Sequence, residues 1–258
     1  MILMYHHVCP ATAIPATHVS LEGWEYCIDP DDFRRQLLLF KREGWIFVSL
    51  ADYLSQLGNQ PLTARIASVT FDDGWRDNRD YAVPVLQELQ VPATIFVVSG
   101  AMPGVPDARR MTPDDLRNLA TANIEVGAHT RTHPNLSTRS ASQLEYELNG
   151  SRRDLETVIN RPVRYLAYPG GRFNSDVVTA AKAAGFDAAC SVIGLGCNST
   201  ESRYWLYRDV FTDQMQTIRD RIKRTPILRR VLHFRAERRA HRSLTDNLSD
   251  TAASNAAG

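Results

Sequence analysis

The chain has 258 residues, with 30 basic and 29 acidic side chains and a formal net charge of +1. Its 43% hydrophobic content suffices for one large α/β domain or two small ones and excludes wholesale disorder. No run approaches the roughly 20 apolar residues that span a bilayer. The near-neutral total is a cancellation, because residues 219–242 hold ten Lys or Arg against Asp220 and Glu237 (a net of +8), leaving −7 on the remainder.

Short β-rich runs alternate with longer amphipathic stretches. In chain order the pattern predicts strand Ile2–Tyr5, an irregular stretch Ala11–Gly23, helix Asp31–Arg42, and strands Trp45–Val48 and Ile66–Phe71. Helix Arg79–Leu89 follows, kinked at Pro84, then strand Ala93–Val98 and a Pro/Gly-rich loop Gly100–Arg110. Helix Thr112–Ala122 opens with Thr-Pro-Asp-Asp, a start signal. Strand Ile124–Gly127, helix Ser140–Ile159, strand Tyr165–Ala167 and helix Ser175–Ala184 with Gly185 as its cap come next. Strands Phe186–Ser191 and Tyr204–Arg208 close the series. Repeated strand–helix alternation implies a parallel α/β architecture.

The N-terminal MILMYHHV lacks the charged and apolar regions of a secretory signal, so a cytoplasmic protein is expected. Cys9, Cys27, Cys190 and Cys197 have no CxxC spacing and read as thiols buried as small hydrophobes.

Four polar clusters each follow a predicted strand directly: His6-His7, Asp72-Asp73-Gly74, His129 with His133, and Tyr168-Pro169-Gly170-Gly171-Arg172. In parallel α/β folds the C-terminal strand ends carry function, so the clusters should meet around one mouth. Two His at i and i+4 (HTRTH) can chelate one cation, although such pairs also cap helices. Adjacent carboxylates after so apolar a run as IASVTF are costly unless a cation or proton offsets them. A turn accounts for Asp73-Gly74 but not for the pair. One Asp and two His together make a facial metal triad with open positions.

VTFDDGWRDNRDYAVPVLQELQVPATIFV, EVGAHTRTHPNLS and RPVRYLAYPGGRF, in that order, resemble the polysaccharide deacetylases of carbohydrate esterase family 4, the NodB-homology domain. The similarity runs from Met1 to about Arg208. It implies a distorted (β/α) barrel of about seven parallel strands, residues 1–211, that removes N-acetyl groups from an N-acetylated glycan. It further implies Asp72 as general base, and Asp73, His129 and His133 as ligands of a divalent metal, zinc before cobalt or nickel. The backbone N–H of Gly170, beside Pro169, would then stabilise the oxyanion. The late Leu-x-His motif that supplies the family's general acid is missing; His233 sits in a Leu-His dipeptide on the basic segment. LMYHHV instead resembles the permuted arrangement of poly-N-acetylglucosamine deacetylases, which implies His6 as the acid, with His7 as second choice. The Arg expected before the AYPGG loop is also absent, leaving Arg172, Arg208 and Arg164 as candidates to orient the base. Trp75, Tyr168 and Trp24 are candidates for stacking on a sugar ring or for roofing the core. Competing readings are deacylation of peptidoglycan, chitin oligomers, an O-acetyl ester or a non-sugar amide, and a catalytically silent sugar-binding domain.

Beyond the resemblance, helices are predicted over Asp213–Arg224 and Pro226–Leu244, with a disordered tail over 245–258. The second helix sets Ile227, Leu228, Val231, Leu232 and Phe234 against Arg229, Arg230, Arg235, Arg238, Arg239 and Arg242. Such a helix either docks its apolar stripe on the barrel or lies on an anionic membrane surface, here the inner membrane. Nucleic acid is an unlikely partner for a body of net −7.

Overall fold

The apolar runs become the strands of one curled, all-parallel sheet. The computed structural model describes residues 1–13, 26–58, 65–101, 109–119, 122–194, 196–211 and 235–245. Its elements in chain order are β1 (Ile2–Tyr5), β2 (His7–Val8), β3 (Cys27–Ile28), α1 (Pro30–Arg42), β4 (Ile46–Phe47), α2 (Leu50–Ser55), β5 (Ile66–Phe71) and α3 (Val83–Glu88). There follow β6 (Ala93–Val97), α4 (Pro113–Leu119), β7 (Ile124–Ala128), α5 (Ala141–Ile159), β8 (Tyr165–Ala167), α6 (Ser175–Ala183), β9 (Ala188–Cys190) and β10 (Asp209–Val210). The strand order is β10-β1-β5-β6-β7-β8-β9, with β4 paired to the start of β5 and β2–β3 forming a separate small sheet.

The sheet curls until its two ends nearly meet. Leu206 bridges Cys190 at the end of β9, and a few residues later Asp209 and Val210 pair with Leu3 and Met4 of β1. One short segment thus spans the gap between the two edges, and the result is a distorted (β/α) barrel. Strand alternation then sorts side chains between two interiors. Leu3, Tyr5, Val69, Phe71, Ile95, Val97, Ile124 and Val126 face the helices, where α1 supplies Phe33, Leu37 and Phe40 and α5 supplies Leu144, Leu148 and Leu155. Ile2, Phe96, Tyr165, Ala188, Cys190 and Leu206 fill the barrel and are plugged at its base by Leu50, Tyr53 and Leu54 of α2.

Local signals place the helices. Asp29 caps α1 with Pro30 in its first turn, and Ser140 with Gln143 forms a reciprocal capping box on α5. Thr112 and Asp115 do the same for α4, each backbone N–H reaching the other's side chain. Pro84 lies where the expected helix is interrupted: a π turn over Asn78–Ala82 directly precedes it, and regular winding resumes in α3 with Pro84 in its first turn. The last strand begins at Asp209 instead of Tyr204, because Glu201–Tyr204 winds into a 3-10 turn. Helix α2 and the β2–β3 pair were unforeseen, being too short to show a period.

The expected helix Asp213–Arg224, the apolar stripe Ile227–Phe234 and the tail from 246 lie outside the described residues. Residues 235–245 are helical, with Ala236 and Ala240 buried and Leu244 packed against the core. Arg235, Arg239 and Arg242 are exposed.

At the centre of β7, a Cβ added to Gly127 would lie 2.4 Å from Phe96 Cδ1 and 3.2 Å from the Tyr165 carbonyl oxygen. Gly127→Ala is therefore expected to lower stability by about 1–3 kcal/mol through overpacking. Urea denaturation should give a lower midpoint at unchanged slope, and adding Phe96→Leu should recover part of the loss.

Candidate active site

Register places the polar clusters at one rim. Tyr5 pairs with Phe71, so His6 and Asp72 leave β1 and β5 side by side, and Asp72 N–H donates to Tyr5 O at 3.1 Å. Val97 pairs with Ala128 and Ala128 with Leu166, which sets His129 beside Ala167. Ser68, Thr70 and Asp72 share the barrel-facing parity of β5, and all are buried.

Asp72 is held by Arg208, the largest fully buried side chain of the chain's described residues. The guanidinium makes two 2.7 Å bonds to the carboxylate, with further bonds to Thr70 Oγ1 (3.2 Å) and Ser191 O (2.8 Å). Burial pushes the Asp72 carboxyl up, but Arg208, His129 and His6 outweigh it and hold the group well below the usual carboxylate range. Of the three candidate arginines, only Arg208 reaches Asp72. Arg164 pairs with Asp187 on the surface at 2.6 Å, and Arg172 is exposed beside Gly170.

Asp73, His129 and His133 each turn one ligand atom toward a common point, all within 4.8 Å of one another. Asp73 Oδ1 lies 3.6 Å from His129 Nε2 and 3.4 Å from His133 Nε2. The Nδ1 of His129 is 2.8 Å from the Ala167 carbonyl, which fixes a proton there and leaves the Nε2 lone pair free to ligate. Burial pushes His129 down to about 4, so the ring is neutral near pH 7. Asp73, although buried, is held below its ordinary value by the two imidazoles. One carboxylate and two imidazoles gathered this closely fit a divalent cation.

This geometry requires unusual backbone. Asp73, Thr130 and His133 have φ of 74°, 67° and 59°, and HTRTH is coil, not helix. Glu147 from α5 holds that loop, its carboxylate accepting from the N–H groups of Arg131 and Thr132 and from Thr132 Oγ1. Thr130 Oγ1 accepts from His133 N–H at 3.0 Å.

The remaining expected residues divide. His6 lies at the rim, its ring stacked on Tyr26 at 5.0 Å and its Nδ1 buried without a hydrogen-bond partner. His7 turns away: its Nδ1 is 2.6 Å from Asp77 Oδ2 and its ring packs on Trp75. Trp75 is 2% exposed, donates from Nε1 to Asp73 Oδ2 at 3.1 Å and lies under the Arg110 guanidinium, so it has no face for a sugar. Tyr168 is likewise fully buried, with its hydroxyl on Tyr204 O. Trp24 lies outside the described residues. Pro169–Gly171 forms a tight turn with Gly170 at φ 58°, closed by the N–H groups of Gly171 and Arg172.

Sequence reasoning missed Tyr26, which is 38% exposed against His6, and the pair Asp77-Asn78. Asp77 Oδ1 accepts from Val8 N–H, and Asn78 Nδ2 donates to His6 O at 2.7 Å, so the two clamp the His6–Val8 segment. Their signal was present in WRDN, directly after TFDDG.

The family model described as polysaccharide deacetylase matches residues 59–189. The putative polysaccharide deacetylase YxkH of Bacillus subtilis (strain 168) is 26% identical over 140 residues, 54% of this chain and 49% of that protein, so the match spans about half of that relative's length. Poly-beta-1,6-N-acetyl-D-glucosamine N-deacetylase of Staphylococcus aureus (strain MRSA252) is 23% identical over 205 residues, 75% of this chain and 71% of that one. Among solved structures, the Streptococcus pyogenes deacetylase PplD in complex with acetate superposes with a TM-score of 0.72 at 26% identity, covering 83% of this chain and 92% of its own.

Two outcomes follow from this geometry. Arg208→Met leaves Asp72 buried and unpaired, and is expected to cost about 3–5 kcal/mol at neutral pH. A carboxyl held below its unfolded value lends stability above that value and loses it as pH falls. The gap between wild type and variant should therefore narrow as pH falls, first above about pH 4 as the desolvated, unpaired Asp72 of the variant protonates, then below it as the wild type loses the stability lent by its depressed carboxyl; a constant gap in unfolding free energy would contradict the pairing. Trp75→Phe removes the hydrogen bond to Asp73 and should weaken divalent-metal binding about 10–100-fold in a titration.

Proposed function

The chain belongs to the polysaccharide deacetylase family, and from that premise we propose that it hydrolyses the N-acetyl amide of hexosamine units in a surface polysaccharide or its lipid-linked precursor. The observation that carries this reading is an ionised Asp72 next to a three-ligand group, with His6 leaving the adjacent strand. Residues 1–211 would form the catalytic domain, with 212–244 as a basic extension and 245–258 as a tail.

Asp73, His129 and His133 would hold a divalent cation, zinc by the imidazole-rich donor set and cobalt or nickel as substitutes. Such a cation supplies Lewis-acid polarisation of the acetyl carbonyl and acidifies a water molecule. Asp72, fixed by Arg208, takes the proton of the attacking water. The Gly170 N–H donates to the developing oxyanion from its turn beside Pro169. His6 gives its proton to the departing amine, and Asn78 and Tyr26 keep its backbone and ring in place. The substrate reading draws on the Staphylococcus aureus relative, whose name specifies poly-beta-1,6-N-acetyl-D-glucosamine.

Acetate release from β-1,6-linked N-acetylglucosamine oligomers with added zinc, cobalt or nickel tests the proposal. Asp72→Asn should abolish release while metal binding persists. His6→Ala should lower kcat about 10²–10⁴-fold; near-normal turnover would remove His6 from the chemistry. Oligomer binding without acetate release under any metal would point to a sugar-binding module, and release only from peptidoglycan, chitin oligomers or O-acetyl esters would move the substrate.

A further inference from the structure

Cys9 and Cys27 were expected to be inert packing thiols, yet their Sγ atoms lie 3.2 Å apart. The parallel β2–β3 ladder brings this about. His7 pairs with Cys27 and Val8 with Ile28, and Cys9 N–H then donates to Ile28 O at 3.1 Å. Cys9 and Cys27 are consequently a diagonal pair on the same face of the ladder as His7. Cys9 is buried and Cys27 half-buried, so one thiol is reachable and the other waits behind it.

We propose that Cys9 and Cys27 form a thiol–disulfide site that takes a small-molecule disulfide as its oxidant. The Cys27 thiolate attacks one sulfur of the oxidant, forming a mixed disulfide and expelling the first thiolate. Cys9 Sγ then attacks Cys27 Sγ, expels the second and gives up its proton to it. The balance is one disulfide and two protein thiols giving one protein disulfide and two small thiols. The hydrogen bond between the two sulfurs suits this order, since it pushes Cys9 up and Cys27 down. The other two cysteines are internal controls. Cys190 is sealed inside the barrel and pushed up by burial to about 12, and Cys197 sits beside Tyr207.

The consequence is local. A bond here ties β3 to β2 immediately after Tyr26, whose ring rests on His6, and closes the intervening loop covalently. The inference does not depend on the proposed reaction.

The test oxidises the reduced 258-residue chain with oxidised glutathione, followed by intact mass, peptide mapping and thermal melting. The expected result is loss of two hydrogens, a Cys9–Cys27 cross-linked peptide, and a melting temperature several degrees higher that dithiothreitol reverses. Cys9→Ser should stop at a glutathione adduct on Cys27 and show no such rise. Four free thiols after oxidation, a stable adduct on wild-type Cys27, or a cross-link through Cys190 or Cys197 would overturn the proposal. The wild-type mapping decides it even where the variant does not fold.

Discussion

Two adjacent carboxylates stand at the buried end of β5, and the site requires both to stay ionised. In a medium of low effective dielectric, neighbouring like charges would force a proton onto one of them. The surrounding structure divides the problem. Asp72 receives a bidentate guanidinium, a fixed and fully buried positive charge. Asp73 receives the rings of His129 and His133, an indole N–H and a place for a cation. The division also separates roles, because the carboxylate with the permanent partner cannot serve as a free ligand. The one without it is balanced by the less direct charges of His129, His133, His6 and Arg110, and its carboxylate stays available as a ligand. An ion-paired Asp72 is a weaker base than a free carboxylate, so the proton transfer proposed for it would rely on fixed orientation, and on water acidified nearby, more than on intrinsic basicity.

Arg208 gives that pairing a structural meaning beyond the site. It lies on the short segment between Leu206, which bridges β9, and Asp209, which pairs with β1. Closing the barrel there means burying a guanidinium against Phe96, and that is tolerable because Asp72, Thr70 and Ser191 O accept four hydrogen bonds from it. Closure of the fold and compensation of the Asp72 charge are thus one event. A strand this short could hardly hold the edge by backbone pairing alone.

What the sequence made legible followed from strong local signals. Ile2–Tyr5, Ile66–Phe71 and Tyr165–Ala167 have the predicted bounds, since each is a continuous apolar run ended by a polar cluster. The candidate ligands Asp73, His129 and His133 converge because polar residues after parallel strands share a rim. The failures have equally definite causes. Arg208 could not be chosen over Arg164 and Arg172, because side-chain parity depends on a closing strand whose start was misplaced by a 3-10 turn. Trp75 and Tyr168 stay open between stacking on a sugar and roofing the core, because composition cannot tell an aromatic that faces a pocket from one that lies beneath it. His6 could be preferred to His7 only through the resemblance, because the parity that separates them is set by a two-residue ladder to Cys27–Ile28 that no periodicity reveals.

The family-matching segment, residues 59–189, contains Asp72, Asp73, His129, His133 and the Gly170 turn. It contains neither Arg208 nor His6. Both come from outside it, on strands that pair directly with each other: Leu3 with Asp209 and Met4 with Val210. The segment alone would have an open sheet edge along β5 and an unpaired buried Asp72. Bringing the two flanking pieces together on that edge supplies the missing charge and the imidazole at once. The basic C-terminal region therefore begins where the barrel is completed, and its described helix stays on the body through Ala236 and Ala240 while exposing Arg235, Arg239 and Arg242. Positive charge is in this way used inside the molecule at Arg208 and presented outside it at Arg235, Arg239 and Arg242, which is why the net charge of +1 is informative about neither.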